Sequence, residues 1–167
     1  MKRLGPLWPV VVAAIAILAA TAPARAQKAV LLVRHAEKVD ESDDPLLSAA
    51  GKARARALAR HLRTAGVKAI YVTQYKRTGL TAAPLAASAG LEPIVIRSDA
   101  RQELVDRIRK DHPNDVVLVV GHSDSVPEVL RLLGHPEPVT IGAAEYDNLF
   151  VAIPNKGGPP TVLRLRY

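Results

Sequence analysis

The sequence predicts an α/β domain, a three-layer α/β/α sandwich with a mostly parallel central sheet and an antiparallel edge. Three observations carry that prediction. Short apolar runs alternate with segments of helical periodicity through most of the chain. Two of these runs, Ala29–Val33 and Val116–Val120, are apolar without interruption, the pattern of strands covered on both faces. The last two runs are joined by Lys156-Gly-Gly-Pro-Pro160, a turn that makes a hairpin at a sheet margin.

A leader precedes these elements. Lys2 and Arg3 form a positive n-region, and Leu7 to Ala20 is almost wholly apolar. Ala24-Arg25-Ala26 then supplies a small-x-small cleavage pattern, so residues 1–26 read as a secretory signal peptide. The mature domain is expected to span 27–167 and to be periplasmic or secreted. A retained anchor and a poorly ordered arm are the alternatives. Pro6, Pro9 and the short apolar core argue against a spanning helix of about 20 residues, so no stable membrane insertion is expected after cleavage.

Composition narrows the function classes. Without Lys2, Arg3 and Arg25, the 23 basic residues fall to 20 against 16 acidic ones. That excess suits anionic ligands, but no Arg/Lys tract is interleaved with aromatics, and no nucleic-acid role is expected. Cysteine is absent, which excludes disulfides, thiolate nucleophiles and cysteine-ligated zinc or iron–sulfur sites.

In chain order, the strand at Ala29–Val33 leads into a polar loop, 36–46, crowded with Glu37, Asp40, Glu41, Asp43 and Asp44. Ser48 is placed to cap a helix running to about Thr64, with Ala50, Ala53, Ala57, Leu58 and Leu62 as its apolar face. Arg54, Arg56, Arg60 and Arg63 lie mainly on its solvated side. Gly66 ends the helix, and Ala69–Val72 is the second strand. A helix carries Thr81, Ala82, Leu85 and Ala86 towards Gly90, with Pro84 at its start or deforming its first turn. Arg77 thus falls near a helix N-terminus, where backbone N–H groups favour anions. Pro93–Ile96 is a third strand, and Asp99 is placed to cap a short helix containing Leu104, Val105 and Ile108. After Val116–Val120, Ser123 or Ser125 is placed to cap a helix with Pro127 in its first turn and Val129, Leu130 and Leu133 facing inward. Tyr146–Ile153 and Thr161–Leu165 are the closing strands.

Arg34, His35, Arg77 and His122 all follow strands or begin a helix, at the edge where open α/β sheets hold ligands. Two arginines can surround a phosphoryl group with fixed donor forks. A neutral imidazole can attack phosphorus, and a second histidine can hold the charge that develops on the equatorial oxygens. His35, His122, Asp124 and Glu37 could chemically form a metal site, but the two arginines would repel a cation, and no metal or cofactor is expected. His61, His112 and His135 read as structural.

These residues resemble the histidine phosphatase superfamily, which includes phosphoglycerate mutases and small bacterial phosphohistidine phosphatases. Its leading motif matches Arg34-His35-Ala36-Glu37-Lys38, its second arginine motif Tyr75-Lys-Arg77-Thr78-Gly-Leu-Thr81-Ala82, and its late motif Gly121-His122-Ser123. The form is that of the family's small exported bacterial members. The resemblance implies an α/β/α sandwich without a catalytic metal, His35 as nucleophile, and Arg34, Arg77 and His122 as the phosphate pocket. Asp124 is the leading candidate for the general acid, although related small exported members carry Asn there. Glu103, Glu37 and the absence of any protein acid are the alternatives, and Glu37 is equally suited to orient Arg34 or a loop backbone. The implied function is a phosphomonoesterase hydrolysing a phosphate ester or phosphoramidate through phosphohistidine. A non-catalytic phosphate- or phosphoprotein-binding domain is the alternative. The short 36–46 and 134–146 loops suggest a shallow pocket for a small phosphorylated molecule or an exposed phosphorylated side chain.

Overall fold

The computed structural model describes residues 28–167; the leader read in residues 1–26 lies outside them. Ten elements follow in order: β1 (Ala29–Arg34), α1 (Ala49–Leu62), β2 (Val67–Val72), α2 (Lys76–Ala89), β3 (Ile94–Val95), α3 (Arg101–Asp111), β4 (Val116–Gly121), α4 (Ser125–Leu132), β5 (Asn148–Asn155) and β6 (Gly158–Arg166). They build one six-stranded sheet in the order β3-β2-β4-β1-β5-β6. β1 to β4 run parallel, whereas β5 is antiparallel to β1 and β6 to β5, so the closing hairpin forms the antiparallel edge.

Strand alternation splits the core into two layers. Val30 and Leu32 of β1 join Leu104, Val105 and Ile108 of α3 and Val126, Val129 and Leu130 of α4. Leu31 and Val33 join Leu58 and Leu62 of α1 and Leu85 and Ala86 of α2 on the other face. An uninterrupted apolar strand is what burial on both faces requires. β1 and β4 therefore sit at the centre, and their C-terminal ends open on the same edge.

Several local expectations are corrected. The buried face of α1 is Gly51, Ala55, Leu58 and Leu62, whereas Ala50 and Ala53 are exposed. Leu58 and Leu62 set the phase, and alanine is tolerated on either side. Pro84 lies inside α2 rather than at its start, because that helix begins at Lys76. Its first turn is capped across space, the Lys76 N–H donating to Asp44 Oδ1 (2.7 Å). Asp99 does not cap α3; its carboxylate pairs with Arg97. Neither Ser123 nor Ser125 is the N-cap of α4, a position taken by Asp124 without a side-chain cap bond. Ser48 does cap α1, its Oγ accepting from the Gly51 N–H (3.1 Å).

Candidate active site

The sheet register brings the two histidines together. Arg34 of β1 pairs with Gly121 of β4, and the His35 N–H extends the ladder by donating to the Gly121 carbonyl (2.9 Å). His35 and His122 therefore leave adjacent strands side by side, their ring centroids 5.3 Å apart. Gly121 is required by close approach. A Cβ there would lie 2.7 Å from Ser125 Oγ, which accepts the His122 N–H (2.8 Å) and fixes the start of the following turn.

Each ring is then oriented. His35 Nδ1 lies 2.8 Å from the carbonyl of Ala36, an acceptor only, so Nδ1 carries the proton and Nε2 keeps its lone pair. The Ala36 N–H donates to Thr81 Oγ1 (2.9 Å), and Thr81 in turn donates to the Arg77 carbonyl (2.7 Å). One buried threonine thus links the loop that sets the tautomer to the helix that presents Arg77. His122 Nε2 shares a hydrogen bond with Thr73 Oγ1 (3.0 Å), which meets Thr78 Oγ1 at 3.1 Å.

The arginines flank the histidines. Arg34 is buried, its Nη1 donating to the carbonyls of Gly142, Ala143 and Glu145 (3.0, 2.8 and 3.2 Å) and its guanidinium stacked 4.0 Å over Tyr146. Arg77 stacks on Tyr75 at 4.2 Å and donates from Nη1 to the Asp43 carbonyl (3.1 Å). The Nε groups of both arginines are buried without a hydrogen-bond partner among the described residues. Buried donors left in this state favour an acceptor from outside the chain. Arg34, His35, Arg77 and His122 line one open cleft of about 380 Å³.

Burial, with the added charge of the arginines, pushes both imidazoles down. His35 falls from 6.5 to about 4 through burial first, against the opposing Ala36 hydrogen bond, with His122, Arg77 and Arg34 adding to the fall. His122 falls to about 4 through burial and then Arg77, with Asp124 opposing. Both are neutral at neutral pH, as a nitrogen nucleophile must be. Their folded values lie below the unfolded one, so the native state binds fewer protons between them. Their contribution to stability is complete above pH 6.5 and is lost as pH falls towards 4. The urea midpoint is expected to drop when pH is lowered from about 7 to about 4.5. A flat profile would show that the rings are hydrated.

The carboxylates separate clearly. Asp124 lines the cleft, but its side chain is 66% exposed and its carboxylate is ion-paired with Arg101. Glu103 is not brought to the cleft. It is one step off the Leu104–Val105–Ile108 face of α3 and pairs with Arg107 at the surface. Glu37 does not orient Arg34; its carboxylate is held by the Arg54 fork, with Arg54 Nη2 at 2.6 Å and Nε at 2.9 Å. The four groups considered for a metal therefore do not converge. Among the described residues, no group of three or more His, Asp or Glu side chains is placed to hold an ion.

Sequence reasoning missed Lys38, Asp43, Ser98 and Ser123 in the cleft wall, and Thr73, Thr81 and Tyr146 in support of the rings. Thr73 and Thr81 had a usable signal, since one directly follows a strand and the other lies one helical turn beyond Arg77. Arg101 and Tyr146 had none, because their partners are distant in sequence.

Residues 30–101 match the family model of the histidine phosphatase superfamily (branch 1). No curated protein sequence matched. Solved structures share the fold at low identity. The protein histidine phosphatase SixA complexed with tungstate superposes with a TM-score of 0.67 at 16% identity, over 83% of this chain and 96% of that one. A mycobacterial glucosyl-3-phosphoglycerate phosphatase complexed with VO3 gives 0.66 at 15%, over 84% and 98%. A phosphoserine phosphatase from Entamoeba histolytica, bound to 3-phosphoglyceric acid, gives 0.63 at 15%, over 84% and 97%.

Proposed function

We propose that this chain, whose residues 30–101 match the histidine phosphatase superfamily model, is a metal-independent phosphomonoesterase of that superfamily that works through a phosphohistidine on His35. The observation that carries this reading is the hydrogen bond from His35 Nδ1 to the Ala36 carbonyl, which leaves Nε2 as a free base beside Arg34, Arg77 and His122. Nε2 attacks phosphorus, and the bond to the leaving oxygen or nitrogen breaks with its electron pair. Arg34 and Arg77 hold the equatorial oxygens, with His122 exchanging Thr73 for a phosphate oxygen. Asp124, or water where Asp124 stays with Arg101, supplies the leaving group's proton. Water then attacks phosphorus, the P–N bond returns its pair to Nε2, and phosphate departs. An acid held in an ion pair favours substrates whose leaving group needs little help, such as phosphoramidates and aryl esters. The leader pattern in residues 1–26 supports work outside the cytoplasm, in the periplasm or as a secreted protein.

The engagement of Asp124 by Arg101 also favours a second reading, a phosphate- or phosphoprotein-binding domain without turnover. Rapid quenching after incubation with a labelled phosphomonoester separates the two. The enzyme is expected to carry acid-labile, base-stable label on His35 and to release phosphate. No label and no turnover across several leaving groups would leave the binding domain.

A further inference from the structure

Beside the catalytic cleft lies a second groove, of about 400 Å³, that shares one wall residue with it, Asp124. Asp124, ion-paired with Arg101 on the groove side, is the saddle between the two basins. A group held by its phosphate in the cleft can therefore continue over the saddle without leaving the protein surface. The basins differ in charge. The cleft sets three cations (Arg34, Lys38, Arg77) against two carboxylates (Asp43, Asp124). The groove sets three carboxylates (Asp124, Glu128, Glu137) against two guanidiniums (Arg101, Arg131). Glu128 is matched by Arg131 at 2.7 Å, whereas Glu137 has no ion-pair partner among the described residues. Pro127, Pro136, Pro138 and Val139 form apolar walls, and proline rings make such walls rigid before anything binds.

We propose that this groove is the leaving-group subsite of the phosphatase, and that it takes a polypeptide segment carrying the phosphorylated side chain, with apolar and basic residues flanking it. The proposal rests on the phosphatase reading and narrows its substrate class. A small polyol phosphate would gain nothing from proline and valine walls. An extended segment buries apolar side chains on them and sets a cation against Glu137.

The test compares free phosphotyrosine with a short phosphotyrosyl peptide flanked by valine and arginine, and with the same peptide carrying glutamate in place of arginine. All three share one leaving oxygen, so kcat/KM reports the groove. The arginine peptide is expected to exceed both others, by about fivefold over the glutamate peptide, the size of an exposed ion pair. Glu137→Arg is expected to reverse the preference between the peptides. Glu137 is exposed, so this reversal does not hinge on folding. Equal kcat/KM for free phosphotyrosine and both peptides, or a preference untouched by Glu137→Arg, would overturn the subsite alone. No turnover of any of the three would overturn the phosphatase reading and the subsite with it.

Discussion

With alanine at position 35, turnover is expected to fall by about 10⁴-fold or more, the scale of losing a nucleophile. Phosphate affinity should fall far less, because Arg34 and Arg77 keep their anchors: three carbonyls and Tyr146 for one, Tyr75 and the Asp43 carbonyl for the other. Single-turnover kinetics and a calorimetric titration with inorganic phosphate would separate the two quantities. The same variant should change the acid side of the stability profile. His35 is one of two buried imidazoles with a pKa near 4, so its removal takes away part of the proton uptake that drives unfolding below pH 6.5. His35→Ala should therefore lose stability less steeply with falling pH than the parent, even where its midpoint at neutral pH is lower. Near-parental turnover would remove His35 as nucleophile.

Gly51→Ala is the second large effect, and it acts through the backbone. A Cβ at Gly51 would sit 2.2 Å from the carbonyl oxygen of Glu37 and 3.0 Å from its nitrogen. Both are main-chain atoms, and the carbonyl is already held by the Ser48 N–H (2.9 Å). Nothing flexible is available to give way. Overpacking of this kind costs about 3 kcal/mol, which in a domain of this size lowers Tm by roughly 10 °C. Glu37 directly follows Ala36, whose carbonyl fixes the His35 tautomer, so the displacement reaches the His35 ring. A thermal melt and kcat measured together check this, with both expected to fall. A folded variant with unchanged kcat would show that the 35–37 turn moves independently of the first turn of α1.

How much of this was legible follows from the range of each interaction. The central strands were visible because burial on both faces leaves a continuous apolar run, and His35 and His122 were visible because they end those runs. The closing hairpin was visible in its glycines, although the turn is only Lys156-Gly157, and Gly158, Pro159 and Pro160 already belong to β6. The start of α2 was not, since its cap is Asp44, some thirty residues upstream, rather than a neighbour of Lys76. The phase of α1 was blurred because alanine fits either face, and Gly51 was buried for an approach that only the folded loop reveals. The partners of Glu37 and Asp124 were equally hidden. Arg54 and Arg101, which hold them, are brought in by different elements of the fold.

The β1–β4 pairing also sets the order in which the chain can fold. Arg34 and Gly121 are roughly ninety residues apart, and the central ladder closes only when both are present. Closing so long a loop is entropically costly, and a sheet built on such distant pairings forms slowly. A nascent chain cannot complete its central sheet until β4 has emerged from the ribosome. The pairing of β1 with β4 is the same step that brings His35 to His122, so activity should appear only once that ladder has closed.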